Sequence, residues 1–213
     1  MLPHMSSQVP HSETARMSSF SDGVFSILIT IMVLELKSPQ ETTISGLLPV
    51  LPFFLSYILS YVYLAIYWNN HHHLLHATKG ITGGIMWANL HLLFWLSLIP
   101  FSTEWVGRTH GEALPAAVYG FVLLMSACAY FLLSTTIIHH QGRDSELAQA
   151  LGSDRKAQLT IVLYVLAIVG SFIHSLIAYI LFMAVALLWI VPDKRLAPLF
   201  DHLEEEKTLP KKH

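Results

Sequence analysis

What constrains this chain most is a succession of apolar runs long enough to cross a bilayer. From Leu159 to Val191 the sequence is almost continuously apolar. At ~1.5 Å per helical residue that run would measure about 50 Å, too long for one crossing of ~30 Å of hydrocarbon. It therefore reads as two helices, about 157–170 and 172–191, divided by a tight turn at Gly170-Ser171. Four earlier spans are expected at about 18–36, 47–69, 85–105 and 115–138. Because 54% of the residues are hydrophobic and only 12% charged, a soluble globular domain is excluded. The expected fold is an all-α integral membrane protein with six transmembrane helices per subunit.

The connections carry the expected breakers. Pro39 stops the first helix, and Pro49 and Pro52 fall in the first turns of the second, where a missing N–H is tolerated. The stretch Asn69-Asn70-His71-His72-His73, His76, Lys79-Gly80 and Gly83-Gly84 reads as a polar, flexible connection. Pro100 is expected to bend or end the third span, with Trp87 and Trp105 as interfacial anchors. Gly107 to Gly111 reads as a tight turn, and His139-His140-Gln-Gly142 terminates the fourth span. The charged segment from Arg143 to Lys156 is too short for a domain, and Pro192-Asp193 closes the last helix. This gives an N-terminal tail (1–15), a six-span domain (16–191) and a C-terminal tail (192–213).

Six crossings put both termini on one side. With the N-terminus inside, the inner side holds Arg16, Lys79, Arg143, Arg155, Lys156, Lys194 and Arg195, and the outer side holds Lys37 and Arg108. Seven against two favours cytosolic termini in a multi-pass cell-membrane protein. Residues 1–15 lack the basic-then-apolar order of a cleavable signal peptide, so the first span is expected to direct insertion. A net charge of -2 leaves no basic domain for a nucleic-acid partner. Cys128 is the only cysteine, so no intrachain disulfide forms.

The first span is unusual for one so close to the N-terminus. Arg16, Phe20, Ser21 and Asp22 stand at its entrance, and Ser26 and Thr30 interrupt its apolar run. Ile27, Thr30, Ile31 and Leu34 fall at i, i+3, i+4 and i+7, one stripe of a helix. Periodicity alone leaves two readings open for that stripe, a packing face or the lining of a path. Likewise the Arg16/Asp22 pair reads either as an interfacial anchor with a carboxylate at a helix start or as a knot with histidine on the second span, by His71 or His72.

Arg16-x-x-x-Phe20-Ser21-Asp22 at the mouth of a first span resembles the signature of the transmembrane protein 175 family of endolysosomal potassium channels and their prokaryotic relatives. Tyr67-Trp68-x-x-His71-His72 and Asn89-Leu-x-Leu-Leu-Phe-x-x-Ser97-Leu-Ile-Pro100-Phe101 are similar to further patterns of that family. The resemblance, over roughly residues 16 to 190, implies a potassium-selective, leak-type cation channel and no enzyme. It implies that the first helix lines a central pore, with Ile27, Ile31 and Leu34 as a hydrophobic constriction. Ser26 and Thr30 become transient K⁺ contacts, and Arg16, Phe20, Ser21, Asp22, His71 and His72 become a structural motif at the pore entrance. One helix cannot make a ring, so a homotetramer in membrane lipid is expected, with K⁺ as permeant ion and no cofactor.

Two rival classes remain at this stage. The thirteen histidines, among them His71-His72-His73, His76, His91, His139-His140 and His174, invite a histidine-ligated redox or metalloprotein reading. Glu35, Asp22 and the histidines would serve a proton-coupled transporter.

Overall fold

The computed structural model describes residues 9–142, 144–145, 147–148 and 155–190. Among them the regular structure is helical throughout. Helix α1 spans Val9–Leu34, and a 3₁₀ segment over Ile44–Val50 leads into α2, Leu51–His76. Then come α3 (Gly83–Ser97), α4 (Ile99–Arg108) and α5 (Ala113–Gln141). Two shorter helices follow, α6 (Arg155–Ser171) and α7 (Ser175–Ile190).

Four stretches are long and apolar enough to cross a membrane: Glu13–Leu34, Ile44–His76, Gly83–Arg108 and Ala113–Gln141. The helices α6 and α7, of 17 and 16 residues, rise only about 24–26 Å, short of ~30 Å of hydrocarbon. They are joined by a tight turn in which His174 N–H donates to the Gly170 carbonyl at 2.9 Å. The C-terminal tail, Pro192-Asp193, Arg143, and the larger part of the charged segment up to Arg155 lie outside the described residues or side chains.

Three sequence expectations need correction. Helix α1 begins at Val9, two turns before Arg16, because Pro10 falls in its first turn, where a missing N–H is tolerated, and no proline or glycine follows until Gly23. The histidine stretch after residue 69 is helix, not flexible connection: α2 runs on to His76, with the Asn70 side-chain amide donating to the Ile66 carbonyl inside the helix. Gly107 and Arg108 belong to α4, and the turn comes later, where His110 (φ 50°) and Gly111 (φ 78°) adopt positive φ. Gly111 N–H closes that turn on the Val106 carbonyl at 3.1 Å. The third membrane-length stretch is two helices, because Pro100 has no N–H to continue the ladder past Leu98.

Helix α1 packs on α2, α3 and α4, while α2 packs on α4 and α7. At the centre, α5 touches α3, α4, α6 and α7. Small residues let it approach them: Ala116 and Ala117 are buried, and a Cβ on Gly120 would lie 2.9 Å from the Phe182 ring and 3.0 Å from Ile168. Several hydroxyls inside the bundle are paired across helices, as a medium without water favours. Thr103 donates to Ser60 at 2.7 Å, Ser60 and Tyr119 share a hydrogen bond of 3.0 Å, and Tyr63 donates to the Phe182 carbonyl at 2.6 Å.

Helices α2 and α4 meet tightly at Gly107. A Cβ there would overlap the Phe53 ring and sit 3.0 Å from Phe53 Cα, a backbone atom that cannot rotate away. Gly107→Ala is therefore expected to destabilise the protein. Overpacking of about 1–3 kcal/mol outweighs the gain of up to ~1 kcal/mol from the better helix former. A lowered midpoint of thermal unfolding in detergent is the expected readout, and an unchanged or raised midpoint contradicts this packing.

Candidate functional site

Helix α1 has two faces. Met17, Ser21, Phe25, Leu28 and Met32 follow one another at spacings of four or three and are buried against the bundle. The opposite face carries Phe20, Ile27, Thr30, Ile31 and Leu34, all exposed in the single subunit, with Leu34 at 79% and Ile27 at 57% of full exposure. Two hydroxyls flank the exposed aliphatic stripe. Ser26 donates to the Asp22 carbonyl and Thr30 to the Ile27 carbonyl, each at 2.9 Å. With its proton committed to its own helix, each hydroxyl oxygen is left only to accept.

A buried chain of hydrogen bonds ties α1 down. Ser21 is fully buried and donates to the Met17 carbonyl at 2.9 Å. Its oxygen is thereby left to accept, and it does so from the Asn89 amide of α3 at 3.1 Å. The Asn89 carbonyl oxygen then faces His71 Nε2 of α2 at 2.7 Å. Because that oxygen can only accept, Nε2 carries the proton and Nδ1 is the bare nitrogen. His71 Nδ1 is buried without a partner, beside the Phe25 ring at 5.6 Å between centroids. Three helices thus meet in one polar chain whose donor directions are determined at every step.

A second tie runs outside the first. The Trp68 indole N–H donates to Asp22 Oδ1 at 2.8 Å, and Ser18 reaches Oδ2 at a longer 3.4 Å. The His72 ring lies on Trp68 with centroids 5.8 Å apart. His71 therefore faces inward to Asn89 and Ser21, and His72 faces outward over the residue that holds Asp22.

Arg16 is exposed and forms no ion pair with Asp22, and Phe20, 56% exposed, takes no part in either tie. Sequence reasoning assigned no role to Asn89 or Trp68, which supply the partners. Their signal was present: an amide inside an apolar span marks a buried polar contact, and an indole at a span end has an N–H to place. His174 stands in the turn between α6 and α7, not inside a span, and its Nδ1 accepts from Leu176 N–H at 3.2 Å. His91 is exposed on α3. Among the described residues, no group of three or more His, Cys, Asp or Glu side chains converges on one point.

Comparison with known proteins bears on the same helices. Residues 16–100, which span α1 to the start of α4, match the family model described as endosomal/lysosomal potassium channel TMEM175. The chain is 51% identical over 181 residues to a potassium channel of Chryseobacterium sp. (strain P1-3), covering 85% of this chain and 94% of that protein. It is 31% identical over 127 residues to a potassium channel of Streptomyces collinus (strain DSM 40733 / Tue 365), covering 56% of this chain and 62% of the other. Its fold is similar to the crystal structure of a lysosomal potassium-selective channel TMEM175 homolog from Chamaesiphon minutus. That similarity has a TM-score of 0.75 and 27% identity, and covers 84% of this chain and 97% of that one.

Proposed function

Because the chain belongs to the endosomal/lysosomal potassium channel TMEM175 family, we propose that it conducts K⁺ through a pore lined by α1 at the centre of a homotetramer. It is a channel, not an enzyme. The observation that carries the lining role is the division of α1 into a face buried in the bundle and an opposite aliphatic face that the subunit leaves uncovered. Four copies of the uncovered stripe around an axis bring Ile27, Ile31 and Leu34 into rings.

A ring of aliphatic side chains holds back ions by excluding water. The chain carries no carbonyl ladder of the Thr-Val-Gly-Tyr-Gly kind, so selection rests on dehydration, which penalises the more strongly hydrated Na⁺ more than K⁺. Ser26 and Thr30 offer their lone pairs as partial compensation. The resulting selectivity is modest and the conductance leak-like. Arg16, Phe20, Ser21, Asp22, His71 and His72 organise the entrance, with Asn89 and Trp68 completing the two ties. With the short α6 and α7 read as a fifth and sixth crossing, the excess of Lys and Arg on one side supports cytosolic termini in a cell-membrane protein.

Currents from purified protein in planar bilayers under opposed K⁺ and Na⁺ gradients test the reading. The reversal potential is expected between zero and the K⁺ equilibrium value, and silence or a saturating, pH-coupled flux contradicts it. The assembly has its own test. Leu34→Cys in a Cys128→Ala background is expected to crosslink between subunits, in particles with the mass of four chains. A monomer that conducts would rule the arrangement out.

A further inference from the structure

His72 and His76 stand one helical turn apart at the end of α2, on one face of the helix and both exposed. Their rings lie nearly parallel, 21° apart, with centroids separated by 6.0 Å. We infer that this pair is a two-imidazole site for a divalent transition-metal ion of the Cu²⁺, Ni²⁺ or Zn²⁺ class, and that Trp68 couples its occupancy to Asp22 of α1.

The chemistry follows from the donor set. Neutral imidazole is a borderline nitrogen ligand that suits these ions and not Mg²⁺ or Ca²⁺, which require oxygen. An i, i+4 pair lets two nitrogens reach one ion at ~2.0–2.1 Å after small side-chain rotations, with water filling the remaining positions. His73 is one residue on, about 100° around the helix. Its ring stands edge-on to His72, 69° from its plane, so it does not share the face.

Coupling follows from the contacts on the other side of His72. Its ring rests on Trp68 at 5.8 Å, and the Trp68 indole N–H holds Asp22 at 2.8 Å. A metal ion fixes the His72 ring, changes its stacking on Trp68 and thereby acts on the residue that ties α2 to the entrance of α1. The binding step stands independently of any conduction.

The experiment is a titration of tag-free, full-length protein in detergent with NiCl₂, followed by calorimetry and by tryptophan fluorescence. One Ni²⁺ per chain is expected, with quenching of Trp68, and no response to MgCl₂. His72→Ala and His76→Ala should each weaken binding at least tenfold, while His73→Ala and His91→Ala leave it within twofold. Should His72→Ala fail to purify, His72→Gln keeps the size and removes the second imidazole. Trp68→Phe should retain the calorimetric binding and lose most of the quenching. Unchanged affinity in the His72 and His76 variants, or equal loss on His73→Ala, overturns the site. Full quenching in Trp68→Phe overturns the coupling.

Discussion

Ile27→Asn is expected to raise single-channel conductance and weaken the preference for K⁺ while leaving the subunit fold intact. An amide in the constriction wets it, so ions pass with more of their hydration. If wetting lowers the barrier by about 1.4 kcal/mol, conductance rises about tenfold. The structure sharpens the distinction from a packing face. Ile27 is 57% exposed within the subunit, so the substitution buries no amide and opens no cavity there. If the stripe were instead sealed against a neighbouring subunit away from any ion path, the amide would be buried unpaired, at a cost of roughly 1–3 kcal/mol. The readout would then be loss of assembly with unaltered conductance in whatever tetramer survives. That outcome would sink the pore assignment. Thr30→Val completes the test, since it keeps the shape and removes the lone pairs. Lower selectivity or current with intact assembly is expected.

Asn89→Leu is expected to be the most damaging single change in the bundle. Leucine fills the space but leaves His71, already without a partner at Nδ1, unpaired at Nε2 as well. A buried donor stripped of its acceptor costs about 1–3 kcal/mol. Ser21 loses its donor too, but it still donates to Met17. The helix α1 then loses its buried link to α3, and loss of tetramer and of K⁺ flux should accompany a lowered unfolding midpoint in detergent. His71→Leu combined with Asn89→Leu should recover part of the loss, because replacing both partners by apolar groups is far cheaper than orphaning one. A coupling energy of about 0.5–3 kcal/mol in that double-mutant cycle is the expected measure. Additive single effects would mean that the bond holds nothing.

Much of the architecture was legible because burial in lipid writes itself into composition. Membrane-length apolar stretches can be counted by length alone, as the four long helical segments illustrate. The break within the third followed from Pro100, and the division between α6 and α7 from Gly170-Ser171. The end of α2 was not legible. Histidines and asparagines look like loop residues when read singly, yet the helix continues through them. One of them, His71, is buried on the Asn89 amide 18 residues further along the chain.

The sequence by itself determined that the chain is a helical membrane protein and which residues could form an entrance motif, because hydrophobic length and local spacing are properties of a single strand of text. It could not assign partners. Whether His71 or His72 reached α1, whether Arg16 paired with Asp22, and which face of α1 met the bundle all depend on the rotation of one helix against another. That rotation is set by tertiary packing: Phe25, Leu28 and Met32 find the bundle, and this turns Ser21 toward Asn89, sends Asp22 to Trp68 and leaves Arg16, Ile27 and Leu34 outside. A change of 100° per residue in helical position separates a buried polar link from an exposed stripe, and only contacts between distant segments decide which residue takes which place.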